Sequence, residues 1–262
     1  ELLAFAQKMN IPILSSRGSQ DLFAGETHYY GYVGSHGVRY SNFILSKADL
    51  ILSLGNRLSF PLQSESFQPL IERAKIIRVE VDGAELMRPF PNRLNLHMDL
   101  RSFFSCMSEQ SLPMKDISWL SICNRLKQSL YESDMLPICV QLRKIFELLP
   151  KTFGAVVVDV GNHEFWVSRA YEYASNKFRL LYSRSFGTLG CALPKAIGAC
   201  CQVKRPVLCI TGDQGFQMNI QELQTLTTLH LPVAVLLLNN HASGMIRDHE
   251  RKKFGDTLIH VT

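Results

Sequence analysis

The chain has 262 residues, a length that suggests about two domains. Its hydrophobic content of 46% supports packed cores and excludes a disordered chain. The net charge of +5 comes from 28 Lys and Arg against 23 Asp and Glu. The basic residues are scattered apart from Arg247, Arg251, Lys252 and Lys253, a cluster that reads as a solvated helix face, so no nucleic-acid partner is expected.

Taken in order, Glu1 to Met9 reads as the tail of a helix, and Ile11 to Leu14 as a strand. Ala48 to Leu54 is a second strand closing at Gly55, and Lys75 to Val81 a third closing at Asp82. Residues 1–105 therefore form one α/β unit. Residues 106–137 are polar, hold Pro113 and Pro137, and carry a short helical stretch around Trp119 to Tyr131, so they read as an interdomain linker. Residues 138–262 form the second unit. The expected fold class is α/β, with two doubly wound parallel-sheet domains.

The second unit holds the most informative pair, Asp213 and Asn240, 27 positions apart. Each closes a β-branched, apolar run, Pro206 to Gly212 and Pro232 to Asn239. Between them, Asn219 to Leu229 spaces Ile220, Leu223, Leu226 and Leu229 at threes, the pattern of a helix. Strand, helix and strand make one right-handed crossover, placing two hard oxygen ligands at the carboxyl ends of parallel strands. That pattern suits Mg²⁺ between protein oxygens and a diphosphate. In Gly212-Asp213-Gln214-Gly215 the glycines let main-chain N–H groups approach an anion. Asn219 followed by Glu222 resembles a capping box. An ordinary βαβ turn, in which Asp213 and Asn240 merely cap helices, remains the alternative. So does a phosphate-handling enzyme with a generic Mg²⁺ site.

Residues 155–262 resemble the diphosphate-binding domain of thiamine-diphosphate enzymes, most closely the acetolactate synthase group. That group's Gly-Asp-Gly, a spacer of just under thirty residues and Asn-Asn read here as Gly212-Asp213-Gln214 through Asn239-Asn240. Gln221-Glu222-Leu223, Leu231-Pro232-Val233 and Asn240 to Met245 continue the match. Asp159-Val160-Gly161-Asn162-His163 is similar to the family's Asp-Val-Gly-Gln-His, and Ser185-Phe186-Gly187-Thr188-Leu189-Gly190 to its Gly-Leu-Gly-Ala-Met-Gly loop. Gln214 departs from the family's usual Gly.

The resemblance implies thiamine diphosphate and Mg²⁺ as cofactors. Asp213, the Asn240 side chain and the Ala242 carbonyl would bind the metal. Asn162, His163, Gly212, Gln214, Gly215, Gly244 and Met245 would lie along the diphosphate. Gly187 would offer its carbonyl to the aminopyrimidine, and Leu189 would wedge between the two rings. From the residues alone, His163 beside Trp166 is equally a packed core histidine. Leu189, which opens a helix rich in small residues with Pro194 in its first turns, is equally core.

The first unit resembles the family's middle domain through Gly31 to Gly37, Ala48 to Arg57 and Ile76 to Asp82. In acetolactate synthases that domain carries FAD. Here Arg57-Leu58-Ser59-Phe60-Pro61 stands where those enzymes have Arg-Phe-Asp-Asp-Arg, so FAD and a cofactor-free spacer are both open, with the spacer preferred.

The implied activity is that of a carboligase, decarboxylating a 2-oxo acid such as pyruvate and passing the acyl unit to a carbonyl acceptor. His249 stands where acetolactate synthases usually carry Trp, which keeps open a sugar or aldehyde acceptor. Decarboxylation or oxidation alone, and a non-catalytic homologue, are further alternatives. The family's pyrimidine-binding domain, whose glutamate reaches the cofactor from a neighbouring subunit, has no counterpart here. The chain is thus expected to be a fragment, inactive alone, of a protein that is a homodimer or homotetramer at full length. Seven cysteines with no C-x-x-C, an odd number, favour reduced thiols and a cytoplasmic location. No apolar run reaches the ~20 residues of a membrane span, so no membrane partner is expected.

Overall fold

A computed structural model describes residues 1–58, 67–110, 118–133, 135–183 and 186–255. Ser59, Phe60, Pro61, Pro113 and Ser185, named in the motifs above, lie outside the described residues. The chain divides into two compact units. One comprises residues 1–17 and 25–134, the other residues 18–24 and 135–262.

The first unit contains a parallel pair, β1 (Ile13–Ser15) and β2 (Tyr29–Tyr32), and a parallel three-stranded sheet in the order β3 (Leu50–Leu54), β4 (Lys75–Glu80), β5 (Arg93–His97). Val79 of β4 packs with Phe103 and Phe104, whose rings meet edge to face at 5.3 Å. Arg78, the next residue back, points to the other face and is almost fully buried. Its guanidinium lies 4.7 Å over the Phe90 ring and donates to the Glu85 carbonyl at 2.8 Å. The helix Ser118–Leu130, within the stretch read as a linker, belongs to this unit. It buries Cys123, its Asn124 accepts from the Tyr30 hydroxyl at 2.8 Å, and its Lys127 donates to the Tyr29 carbonyl.

The second unit is a doubly wound sheet in the order β7 (Arg179–Tyr182), β6 (Ala155–Val158), β8 (Val207–Gly212), β9 (Val233–Leu238), with every pair parallel. The chain leaves β6 for β7 on one side and returns to β8 on the other, so strand order reverses between β6 and β8. The run Ala155-Val156-Val157-Val158 is buried throughout, as expected of a parallel strand covered on both faces. Val156 and Val158 pack with Leu142, Phe146, Val167 and Ala170 of the helices Pro137–Leu148 and Asn162–Tyr173. Ala155 and Val157 pack with Ala192, Ala196 and Cys200 of the helix Ala192–Val203, where small residues let helix and sheet approach closely. Burying a valine of this kind contributes about 1.5–3 kcal/mol.

Residues 18–24 join this unit. Gln20 is fully buried, and its amide donates to the Ser168 carbonyl at 2.7 Å and to Glu172 at 3.0 Å. The Asp21 carboxylate accepts the Leu180 N–H of β7 at 3.1 Å and pairs with Arg179. All seven cysteines are free thiols. Among the described residues no helix is long and apolar enough to cross a membrane.

Candidate functional site

The site is built at the carboxyl edge of the second sheet, where its order reverses. Asp159 follows β6 directly, and its N–H extends the ladder to Ile210 of β8 at 2.9 Å. Its carboxylate is buried, and its acceptor sites are filled from three directions. It takes the Val160 N–H at 2.9 Å, the Thr211 hydroxyl at 2.9 Å, and the Gly190 N–H with both oxygens at 3.0 and 3.1 Å. A Cβ at Gly215 would run into the same carboxylate, so that position in the helix Asp213–Met218 must lack a side chain. Asp159 thus ties together β6, β8 and the 187–190 loop. In the sequence Asp159 stands out only as part of a motif; a carboxylate directly after four apolar residues is the signal that marks it.

His163, in the first turn of the helix Asn162–Tyr173, folds its ring back over Gly161 and Gly212. A Cβ at Gly161, which sits at φ +149°, would lie 2.7 Å from the ring. The imidazole is buried, and among the described residues Nε2 has no hydrogen-bond partner. Burial holds its pKa below the ordinary histidine value; Asp159, with its main chain, and Asp213 pull it back only in part. The ring is therefore neutral, close to two acidic side chains, and leaves one nitrogen for a ligand.

Asp213 begins its helix one residue beyond β8, and Asn240 lies two residues beyond β9. Gly212 is in register with Leu238 on adjacent parallel strands, which run ~4.7–4.9 Å apart. The two side chains thus arise from neighbouring tips on one edge of the sheet. Asn240 Oδ1 accepts the Ala242 N–H at 3.3 Å, keeping a second lone pair for another partner. The tip is tightened by the Asn239 side chain on the His241 N–H at 2.9 Å and by the Gly244 N–H on the Ala242 carbonyl at 2.8 Å. Gly244 lies between the Asn240 and Asn162 amides, and Asn162 donates to Asp248 at 2.8 Å. Met245 follows, half-buried, in the helix Gly244–Phe254.

The 187–190 loop stands at the same edge. Gly190 adopts φ +82° with Met218 and the Gly215 carbonyl against it, and the Asn219 amide donates to its carbonyl at 2.8 Å. Gly187, at φ +60°, is exposed, and Leu189 is 36% exposed. The leucine is therefore not a core residue in this unit and remains free to meet a ligand.

Two local expectations are corrected. The stretch Asn219 to Leu229 does not form one helix: a helix ends at Met218, and a shorter one runs Glu222–Thr228. Leu226 packs on the core, while Ile220, Leu223 and Leu229 are exposed. The Asn219–Glu222 capping box is not made either. The Asn219 amide goes to Gly190, and Glu222 accepts instead from the Thr225 hydroxyl at 2.9 Å. The Gln214 Oε1 accepts a hydrogen bond from the Ser243 hydroxyl.

A doubly wound parallel sheet with glycine-bearing tips and a buried imidazole at its switch point defines an α/β domain whose candidate ligand site lies at its carboxyl edge. Residues 159–262 match the model of the thiamine pyrophosphate enzyme C-terminal TPP binding domain, and residues 1–107 match the central domain of the same enzymes. The chain belongs to the thiamine pyrophosphate enzymes. It is 30% identical to the acetolactate synthase large subunit of Pyropia yezoensis over 95% of its own length and 44% of that protein's. It is 31% identical to that of Lactococcus lactis subsp. lactis, over 93% and 43%. With isozyme 2 of Escherichia coli K12 the identity is 28% over 90% and 43%. The chain thus spans less than half the length of these curated relatives.

Proposed function

We propose that the full-length protein is a thiamine diphosphate- and Mg²⁺-dependent carboligase of the acetolactate synthase type. It decarboxylates a 2-oxo acid such as pyruvate and transfers the acyl unit to a carbonyl acceptor. The observation that carries this reading is the placement of Asp213 and Asn240 on adjacent strand tips, with strand ends in register, inside a TPP-binding domain. Bound thiamine diphosphate supplies the electron sink that loss of CO₂ from a 2-oxo acid requires.

The residues present fit that cofactor. Asp213, the Asn240 amide oxygen and the Ala242 carbonyl offer hard oxygen ligands suited to Mg²⁺. The orphaned Nε2 of His163 is a buried polar atom waiting for a partner, and a diphosphate beside Asn162, Gly212, Gly215, Gly244 and Met245 would provide one. Gly187 and Leu189 are exposed at the same edge and anchored through Gly190 to Asp159, which suits holding the organic part of the cofactor. The aminopyrimidine side would be completed by a glutamate from a neighbouring subunit, making the working form a homodimer or homotetramer. A cytoplasmic location accords with the free thiols. FAD in the middle domain is left as an optional structural cofactor.

His249 supports a second reading, in which the acceptor is a sugar or an aldehyde. It is exposed on the helix Gly244–Phe254, at the position where acetolactate synthases carry a Trp that shapes the acceptor pocket. Both readings are tested by incubating the full-length protein with pyruvate, thiamine diphosphate and Mg²⁺, with and without added aldehydes. Acetolactate supports the first reading, and a mixed carboligation product the second. Loss of neither pyruvate nor acceptor under any condition removes both. Asp213→Ala should abolish Mg²⁺-dependent thiamine diphosphate binding; undiminished binding would refute the assigned ligand.

A further inference from the structure

We infer that Gln214 and Ser243 form a latch that holds the two ligand-bearing tips at a fixed spacing before any metal arrives. The inference rests on the reading of Asp213 and Asn240 as metal ligands and deepens it by assigning the residues that position them. Backbone pairing of β8 with β9 extends to Gly212 and Leu238. Past that point, the tip after β9 is held by its own turn, through Asn239 on His241 and Asn240 on Ala242, and Asp213 opens the helix Asp213–Met218. The Ser243 hydroxyl donates to Gln214 Oε1 across 29 residues of chain, and thereby joins one tip to the other. Gln214 directly follows Asp213, and Ser243 lies three residues after Asn240.

Two further observations favour a positioning role over an incidental contact. Ser243 is the N-cap residue of the helix Gly244–Phe254, yet it makes no side-chain cap hydrogen bond. A serine at that position ordinarily accepts an N–H of the first turn, and losing such a cap costs a helix about 1 kcal/mol. Here the hydroxyl is turned away from its own helix toward Gln214. Both residues are also half-buried, where water competes less for the bond.

A latch of this kind removes motion that a cation would otherwise have to freeze, so it acts on metal affinity and not on the reacting atoms. Gln214 and Ser243 are positioning residues. Three variants of the full-length protein test this: Gln214→Ala, Ser243→Ala and the double substitution, with Ser243→Thr as the conservative control. Mg²⁺ affinity in the presence of thiamine diphosphate is measured by calorimetry, and thermal unfolding is followed in metal-free protein. Each alanine variant should weaken Mg²⁺ binding about fivefold, the equilibrium effect of one hydrogen bond. The double variant should be no weaker than either single, and Ser243→Thr should bind as the parent does. Independent, multiplying effects, or affinities within twofold of the parent, would overturn the latch. A parent that binds thiamine diphosphate without needing Mg²⁺ would refute the metal reading itself. In that case coupling between the two alanine variants in metal-free unfolding still separates a structural bond from no bond.

Discussion

The Gly190 N–H is shared by both carboxylate oxygens of Asp159, at 3.0 and 3.1 Å, across 31 residues of chain. The loop bearing Gly187 and Leu189 is thereby fastened to the end of the central strand. Because Thr211 also donates to the carboxylate, one buried side chain sets the relative positions of three segments of the site.

Replacing Asp159 with Asn puts an NH₂ group against donors that need an acceptor. Asp159→Asn should lower the unfolding free energy by about 2 kcal/mol, and Thr211→Val by about 1 kcal/mol. Urea denaturation measures both. A change of under about 0.5 kcal/mol for Asp159→Asn, the scatter of neutral surface changes, would show that the carboxylate is not the anchor.

His163 makes stability depend on pH with a defined sign. Burial lowers its folded pKa beneath the ordinary value of about 6.5. Below that pH the unfolded chain therefore binds a proton that the folded chain refuses. Its contribution is complete above the unfolded pKa and is lost as the pH falls toward the depressed folded value. The parent should lose stability more steeply than His163→Asn as the pH falls below about 6.5. An NMR titration should show the His163 ring protonating below the ordinary histidine midpoint of about 6.5. Parallel stability profiles, or a midpoint at or above that value, would contradict the account.

Gly187 and Gly190 should respond differently to the same added methyl group. At Gly187 a Cβ meets nothing within 4 Å among the described residues, so Gly187→Ala should carry chiefly the left-handed backbone penalty, about 1–2 kcal/mol. At Gly190 a Cβ would lie 2.7 Å from that of Met218 and 3.1 Å from the Gly215 carbonyl. Crowding then adds to the backbone term, and Gly190→Ala should cost about 3 kcal/mol or more. Equal shifts in melting temperature would show that the loop is not packed as described.

Gln20 is fully buried and donates to the Ser168 carbonyl and to Glu172. Gln20→Ala leaves both acceptors without that partner and should cost about 1–3 kcal/mol. Gln20→Glu should be worse, because it faces the Glu172 carboxylate with a second one. Circular dichroism melts of the two variants check the order, and a Glu variant as stable as the parent would reverse it.

The doubly wound sheet and the neighbouring positions of Asp213 and Asn240 were legible because apolar runs ending in polar residues mark parallel strands, buried in β8 and only partly buried in β9. The Asn219–Leu229 stretch misled for a physical reason. Apolar residues at threes specify a helical face, but nothing in the periodicity says whether this chain covers that face; Ile220, Leu223 and Leu229 stay exposed. Contacts among polar side chains distant in sequence were beyond reach. No pattern announces that Asn219 would serve Gly190 rather than its own helix, or that Ser243 would leave its cap for Gln214. Residues 18–24 escaped for the same reason: their partners lie about 150 positions away.

The excursion at 18–24 has a practical consequence for taking the molecule apart. Cutting the polypeptide at 134/135 would not liberate the diphosphate-binding half intact, since it would strip away Gln20 and Asp21 and uncover the outer margin of β7 at Leu180. An autonomous version of that half would need the short N-terminal piece supplied in trans or spliced back on, and a proteolytic nick near residue 18 or 24 should loosen a region far downstream.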